Sequence, residues 1–435
     1  MKNSIIIFIS FFLLISNLHS QSDSLKHNDW KFSGQVLMRS EVDGKDFDNK
    51  TYPPTYTLMR TRVNVEKNLF DDVSFFIQLQ DSRVWGQTAS PTKNLANIDM
   101  HQGYVDVKNI FNVPLSVRVG RFEIEYGTGR ILGPNPWNYV ARAWDGYRIR
   151  YGNEKKFYID AFSLAHTALT TIPIRYPFSS MIDTSFNIYG LWSTVNIGDE
   201  QKVELLAYYE NNNKITDTET KDAEGFPYKD AELLTAGLNY EYKSGSIDIA
   251  LETAYQTGRS LFGGKKNKEA SSYLGCLKIQ YTLNSLTASM NAETVSGTNQ
   301  TETEKTNTFW RPWGTVHQFY GYMDYFTGDL TQSTNNLGLS DLHIKCKYTP
   351  KGKPFSLDVA LWYFMTNQKS ATDKSTLGQE VDIVGRYNLH ENIFVELGGG
   401  LYFAGEAMKE IYYLNTTRTV KDVSFWSYLR FDVRL

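Results

Sequence analysis

The feature that most constrains this chain is a period-two alternation of apolar and polar residues that continues to its last residue. In the closing segment, VSFWSYLRFDVRL, apolar side chains fall on most alternate positions from Val423 to Leu435, and polar ones such as Arg430 and Arg434 lie between them. The segment at 246–258 alternates in the same way. Successive side chains of a strand point to opposite faces, so the pattern predicts β-strands with one apolar and one polar face.

Counting such runs predicts eighteen strands and no competing helical periodicity. Their predicted positions are 31–41, 56–67, 73–84, 101–109, 115–122, 143–152, 155–163, 187–197, 201–210, 232–243, 246–258, 271–282, 284–295, 338–349, 355–366, 377–389, 391–404 and 421–435. Runs of about ten residues suit strands that cross a membrane at a tilt.

The connections between these strands alternate in length. Short turns such as GNE, IGDE, KSG and HEN occupy every second junction. The long connections are 42–55, 85–100, 123–142, 164–186, 211–231, 259–270, 296–337, 367–376 and 405–420. This sorting is typical of an all-β, antiparallel, up-and-down transmembrane barrel with short periplasmic turns and long extracellular loops, in which closure pairs every backbone group. A secreted β-sandwich or adhesin array is the alternative.

The N-terminal residues predict export. Lys2 precedes the apolar run SIIIFISFFLLIS, and Gln21 follows a plausible cleavage position, so residues 1–20 have the pattern of a secretory signal peptide. After them comes a short segment, 21–30, and then the barrel, 31–435. Together these features predict a protein of the Gram-negative outer membrane in contact with its lipid.

The charge balance and the positions of histidine, serine and cysteine argue against other classes of protein. With 45 basic and 48 acidic residues the formal net charge is −3, which argues against a general nucleic-acid binder. The seven histidines have no metal-ligand spacing, and no serine and histidine lie together on one strand face or loop, so we expect no metal, no cofactor and no enzyme. Cys276 and Cys346 fall on opposite faces of separate strands, which favours free thiols.

Arginines are frequent on the polar faces of a few strands. The alternation directs Arg60, Arg62, Arg118, Arg148 and Arg150 towards the lumen. Neighbouring strands add Arg39, Arg430 and Arg434. Acids dominate the opposite arc, at Asp248, Glu252, Glu293, Asp358, Glu380, Asp382 and Glu396, with Lys278, Lys345 and Arg386 among them.

A lumen with one basic wall focuses its field on a passing solute, and guanidinium groups bind carboxylates in bidentate fashion. We therefore predict an anionic solute. The alternative is that these arginines only brace the wall by pairing with acids such as Glu123, Glu125 and Asp145.

The stretch RVGRFEIEYGTGRILGPNPWNYVARAWDGYRIRYG, residues 118–152, holds six arginines and six glycines. It resembles the signature of the alginate-export family of outer-membrane barrels, which reads roughly G-R-x-x-x-x-Y-G-x-x-R, a tryptophan, and then R-x-[FW]-D-G-x-R. Those places are occupied by Gly120, Arg121, Tyr126, Gly127, Arg130, Trp137, Arg142, Trp144, Asp145, Gly146 and Arg148. Further segments resemble the family in its order: LMRTRVNV, QLQDSRVWG, QGYVDV and YGYMDYF.

The resemblance implies an eighteen-stranded barrel with an arginine-lined constriction that passes an anionic polysaccharide. On that basis the anion path is lined by Arg60, Arg62, Arg83, Arg118, Arg121, Arg130, Arg142, Arg148 and Arg150. Asp145 would orient neighbouring arginines. The glycines at 127, 129 and 133, with Pro134, would let residues 123–142 fold tightly into the lumen, although simple turn chemistry explains them equally well.

The expected function is therefore an outer-membrane channel for an acidic saccharide or polysaccharide. A general or small-acid-selective nutrient porin is one alternative, and a surface adhesin or receptor that acts through its loops is another. Periplasmic export or uptake proteins are compatible partners. The aromatic segment WRPWG at 310–314 could stack on sugars or pack as a lid.

Overall fold

The computed structural model of the chain describes residues 30–47, 52–88, 97–167, 185–212, 232–260, 268–315, 317–327, 330–416 and 421–435. The predicted signal peptide, 1–20, and all but the last residue of the segment 21–30 lie outside the described residues.

Nineteen strands are present in the described part of the chain. One, Lys305–Thr306, has two residues and lies in a loop. The other eighteen form the wall: β1 Lys31–Gly44, β2 Thr55–Phe70, β3 Val73–Val84, β4 Ile98–Val107, β5 Leu115–Phe122, β6 Trp144–Asn153, β7 Phe157–Thr167, β8 Phe186–Ile197, β9 Gln201–Asn212, β10 Glu232–Ser244, β11 Ile247–Ser260, β12 Lys268–Leu283, β13 Leu286–Val295, β14 Leu339–Tyr348, β15 Phe355–Met365, β16 Thr376–His390, β17 Ile393–Ala404 and β18 Val423–Arg434. The predicted number and positions of the strands are confirmed, with boundaries that differ by a few residues.

The wall is a closed antiparallel barrel. Each strand pairs with the next in sequence, and β18 pairs with β1 from Gln35↔Arg434 to Gly44↔Phe425. Closure leaves no sheet edge with unpaired N–H and C=O groups, which is the condition for crossing lipid with strands.

The connections are sorted by the end of the barrel at which they lie. Turns such as 71–72, 245–246 and 284–285 join strands at the short-turn end, where β1 begins and β18 ends. The long connections, including 123–143 and 296–338, lie at the opposite, long-loop end. Among the described residues, two α-helices, α1 Leu330–Ser333 and α2 Glu406–Thr416, belong to long connections. A 3-10 helix, Ile110–Asn112, lies in the turn between β4 and β5. In the part of the chain that the structure describes, no helix is long and apolar enough to span a membrane.

The two faces of the strands differ as the alternation predicts. Leu251 and Leu277 are paired on the outer face with 38% and 43% of their surface exposed, whereas their neighbours Glu252 and Cys276 point inward and are buried. The other cysteine, Cys346, is exposed on the outer face, so the predicted placement of the two thiols on opposite faces is confirmed.

A charge on the outer face is expected to destabilise the barrel. Leu277→Arg places a guanidinium near the middle of β12, and we expect a loss of about 2–4 kcal/mol in the free energy of unfolding from lipid vesicles. Lys278→Arg is the control, since Lys278 points inward to Asp248 at 3.4 Å and the change keeps that ion pair. Urea titration measures both, and equal stabilities would contradict the assignment of the faces.

The largest apolar cluster lies inside the barrel, at its long-loop end. Two segments fold into the lumen there, the inner loop (residues 123–143) and the aromatic loop (residues 296–327), which together we call the plug. Tyr126 and Leu132 of the inner loop, and Tyr320 and Phe326 of the aromatic loop, are buried against inward-facing wall residues such as Trp192. The prediction that residues 123–142 fold into the lumen is confirmed.

Candidate functional site

The inner loop contacts the wall on several sides of the lumen. Near its start, the Glu123 carboxylate accepts a hydrogen bond from Arg62 at 3.2 Å and lies 2.8 Å from His101 Nε2. Further along, the Tyr126 hydroxyl donates to Asp160 at 2.9 Å, and the Thr128 hydroxyl donates to Glu252 at 2.8 Å. The loop therefore narrows the lumen from β2 round to β11.

Glycine is required in this loop because it approaches the wall closely. Gly127 has a φ of +60°, and a Cβ there would lie 2.2 Å from the Asn239 side chain. A Cβ on Gly133 would lie 2.5 Å from the Thr315 hydroxyl of the aromatic loop. Turn conformation and close packing thus act together, since only glycine meets both conditions without strain.

Arg130 joins the inner loop to the far wall. Its Nε donates to Glu252 at 3.0 Å, its Nη1 donates to Glu293, and its guanidinium lies 3.8 Å above the Phe319 ring. The residue is only 5% exposed. A buried arginine with two carboxylate partners clamps the plug in place and does not face an open path.

Arg142 joins the two halves of the plug. Its guanidinium donates to the backbone carbonyls of Gly133 at 2.9 Å and Pro312 at 2.9 Å, and also to that of Trp313. Burial lowers the pKa of Arg142 to about 10. This arginine therefore fixes the inner loop against the aromatic loop.

A column of stacked side chains forms a second clamp. The Arg39 guanidinium lies 3.7 Å from the centre of the Trp137 ring, and the His317 ring stacks 3.8 Å from the same indole at an angle of 4°. His317 also stacks on Tyr322 at 5.3 Å and bonds Asp324 at 2.8 Å. Wall, inner loop and aromatic loop thus meet in one stack, which the sequence did not predict.

An arginine arc lies on β5 and β6. Arg118 and Arg148 are directly opposite each other, and Arg150 lies two residues further along β6. Arg118 binds Asp106 with two bonds of 2.8 and 2.7 Å, and Arg150 binds Asp160 with two bonds of 2.6 and 2.8 Å. Arg148 has no carboxylate partner within the described residues, and its Nε is buried without a hydrogen bond.

Arg60 and Arg62 also point inward, but both hold the inner loop. Arg60 Nη1 donates to the carbonyls of Pro136 at 3.3 Å and Asn138 at 3.4 Å. Arg62 donates to Gln80 at 2.6 Å and pairs with Glu123. For these two arginines the structure places bracing partners around the guanidinium, as the alternative interpretation expected.

Three predicted site residues lie on the outer face, so their placement in the lumen was wrong. Arg121 and Asp145 face each other across β5 and β6 and form an exposed ion pair of 3.0 Å. Arg83 lies opposite the outward Met59 and pairs with Asp81. The reason is strand parity: Arg121 is three residues from the inward Arg118, and an odd separation puts two side chains on opposite faces.

The acidic wall is sealed by the plug. The buried Glu380 and Asp382 accept backbone N–H groups of the aromatic loop, from Met323 at 2.9 Å and Tyr322 at 3.4 Å. Glu210 accepts the indole N–H groups of WRPWG, from Trp310 at 3.2 Å and Trp313 at 2.7 Å. That aromatic segment therefore packs as part of the plug.

Sequence reasoning did not single out Glu210 or Asp160 as lumen partners. Both stand at inward positions of predicted strands, where an acid buried against a barrel wall is a detectable signal.

Solved structures of outer-membrane porins have a similar barrel fold. OccAB4 of Acinetobacter baumannii aligns with a TM-score of 0.58 and 10% identity over 95% of this chain and 100% of that one. OccK8 (OprE) of Pseudomonas aeruginosa aligns with a TM-score of 0.59 and 12% identity over 94% of this chain and 98% of that one. A BenF-like porin from Pseudomonas fluorescens Pf-5 aligns with a TM-score of 0.57 and 10% identity over 94% of this chain and 98% of that one. At these identities the likeness concerns the fold alone.

A search of curated proteins finds no match. The family described as "Alginate export" matches residues 31–420, which covers the wall from β1 to the last long connection and includes the signature stretch. The resemblance seen in the sequence is therefore confirmed: this chain belongs to the alginate export family and has the fold of outer-membrane porins.

Proposed function

We propose that this chain is an outer-membrane channel whose arginine arc selects anionic solutes, and that its solute is an acidic saccharide or polysaccharide. The observation that carries the proposal is Arg148, an inward guanidinium without a carboxylate partner among the described residues, between Arg118 and Arg150. A partly exposed cation without a counter-ion attracts anions, and a guanidinium group can bind a carboxylate with two hydrogen bonds.

The different exposure of the arginine and acidic side chains supports a solute path along the arginine arc. Arg118, Arg148 and Arg150 are all partly exposed, whereas Glu293 and Asp382 on the acidic wall are 4% and 0% exposed. The plug covers the acids of the far wall that lie beside it, such as Glu293 and Asp382, although Asp248 and Asp358 stay partly exposed. Since Arg118 and Arg150 have carboxylate partners, the net positive charge of the arc comes from Arg148. The proposed solute path follows the arginine arc on β5 and β6.

Anion selectivity is tested in planar bilayers under a KCl gradient. We expect the reversal potential to indicate anion preference, and Arg148→Ala to lower the anion-to-cation permeability ratio about fivefold, because one charge contributes about 1 kcal/mol at contact in water. Arg121→Ala is the control, since it removes an arginine from the outer face of the same hairpin and should leave the ratio unchanged. Cation preference in the unmodified channel would contradict the proposal.

Block of the current separates the candidate solutes. An acidic hexasaccharide, hexamannuronate, should reduce the current at lower concentration than the neutral maltohexaose. Block by small sugar acids without block by the hexasaccharide favours the small-acid-selective porin, and a protein that gives no conductance at all favours the adhesin. Periplasmic export or uptake partners stay a prediction, as does the absence of enzymatic activity.

A further inference from the structure

A cavity of about 500 Å³ opens at the long-loop end of the barrel, between the first residues of the aromatic loop and neighbouring long connections. Its lining comes from both ends of the 296–338 connection, from residue Ala371 and from α2, which contributes Leu414. The volume falls in the range of small-molecule sites. Unlike the lumen, the cavity opens to the side that the barrel topology assigns to the cell exterior.

Four carboxamide side chains line the cavity: Asn299, Gln300, Asn335 and Asn336. The backbone of Asn336 is fixed, since its N–H donates to Leu330 at 3.1 Å and its carbonyl accepts from Thr298 N–H at 2.7 Å. Its side-chain oxygen is nevertheless buried without a hydrogen-bond partner in the described residues. Leaving such an atom unsatisfied costs about 1–3 kcal/mol. Asn336 as a whole is partly exposed and lines the cavity, so it presents there an amide whose hydrogen-bonding capacity is not used up within the described residues.

The charged residues of the cavity balance each other. Glu302 and Lys305 contribute one charge of each sign. The Glu302 carboxylate already accepts the backbone N–H groups of Glu304 at 2.8 Å and Lys305 at 3.1 Å, and the Lys305 ammonium lies 3.7 Å from Glu269. Beside this balanced pair of charges, the polar lining is neutral and consists of amides and the hydroxyl groups of Thr298 and Thr306.

An apolar surface completes the site. Leu414 lines the cavity and is 59% exposed. Neutral groups that both donate and accept hydrogen bonds, beside a small apolar surface, match a molecule with many hydroxyl groups and exposed C–H faces. We propose that this cavity binds a saccharide segment at the cell-surface mouth of the barrel, through hydroxyl groups and not through carboxylates; the assignment to a saccharide rests on the proposed function.

The test is calorimetric titration of the detergent-purified full-length protein with hexamannuronate, maltohexaose and a Gly/Ser decapeptide. We expect saturable binding of at least one hexasaccharide and at least a tenfold loss of affinity in the double variant Gln300→Ala/Asn336→Gly. Glycine suits position 336 because Asn336 has a φ of +66°. The matched control is Asn112→Gly, which has a φ of +60° and lies in a connection at the short-turn end.

Each outcome decides the assignment. Unchanged affinity in the double variant, loss of affinity in Asn112→Gly alone, binding of the peptide without either sugar, or no binding of any probe overturns it. Conductance and reversal potential are measured on the same preparations. If the channel is anion-selective but its cavity binds no sugar, this inference is wrong and the proposed function stands. If the cavity binds sugar but the channel is not anion-selective, the proposed function is wrong and the binding site stands.

Discussion

Arg130→Met is expected to loosen the plug and raise the single-channel conductance. Arg130 links the inner loop to the far wall through two ion pairs, with Glu252 and Glu293 as partners. Removing it leaves two carboxylates buried without their cation, and losing one partner of a buried ion pair costs about 3–5 kcal/mol. This loss destabilises the packing of the plug inside the lumen, so the plug moves out of the lumen more often. Bilayer recordings measure the conductance, and thermal unfolding measures the stability.

Two further variants separate the clamp from a general loss of packing. Arg121→Met removes an exposed outer-face arginine and should cost less than about 1 kcal/mol, as surface ion pairs do. The triple variant Arg130→Met/Glu252→Gln/Glu293→Gln also removes the two carboxylate charges that lost their cation, and it should recover part of the lost stability. If Arg130→Met keeps the conductance and melting temperature of the unmodified protein, Arg130 does not clamp the plug.

Gly120→Ala is expected to prevent normal folding of the barrel. Gly120 has a φ of +131°, and a Cβ there would lie 2.2 Å from the Gly103 carbonyl oxygen on β4. The backbone strain of about 1–3 kcal/mol adds to an overpacking cost of similar size, about 1–3 kcal/mol. Because the obstacle is backbone in a closed wall, no side chain can rotate away to relieve it. The fraction of chain that folds into vesicles, measured by circular dichroism, checks the result.

Gly275→Ala is the matched control within the wall. The nearest atom to a Cβ there is the Thr294 methyl carbon at 3.8 Å, an ordinary contact. Alanine at this strand position should fold as efficiently as the unmodified protein and stabilise it by about 0.5–1 kcal/mol, the usual penalty of glycine in a strand. If Gly120→Ala and Gly275→Ala fold equally well, the close approach of β4 and β5 does not require glycine at position 120.

The inward direction of Arg60, Arg118 and Arg148 could be predicted because it depends only on strand parity. The same rule places Arg121 and Asp145 outside. Arg121 was assigned to the lumen through the family signature, and Asp145 was counted among the lumen acids without applying the rule. Where a motif and the alternation disagree within a strand, the alternation decides, since a side chain cannot leave its face without breaking the register.

The partners of the lumen arginines could not be predicted. Arg130 and Glu293 are separated by 163 residues, and the Arg39–Trp137–His317 column draws on three distant segments. No local pattern encodes such pairs, and the acids of the far wall could equally have lined an open channel.

Strand number, faces and the sorting of turns and loops were thus determined by the sequence alone, because they follow from local backbone geometry and from the need to pair every polar backbone group in lipid. Only the tertiary structure decided which loops fill the lumen and which guanidinium groups remain without a partner. The reason is that closing the wall brings side chains far apart in the chain into one confined space. There, Arg130 is buried between two carboxylates, whereas Arg148 has no carboxylate partner among the described residues and stays partly exposed.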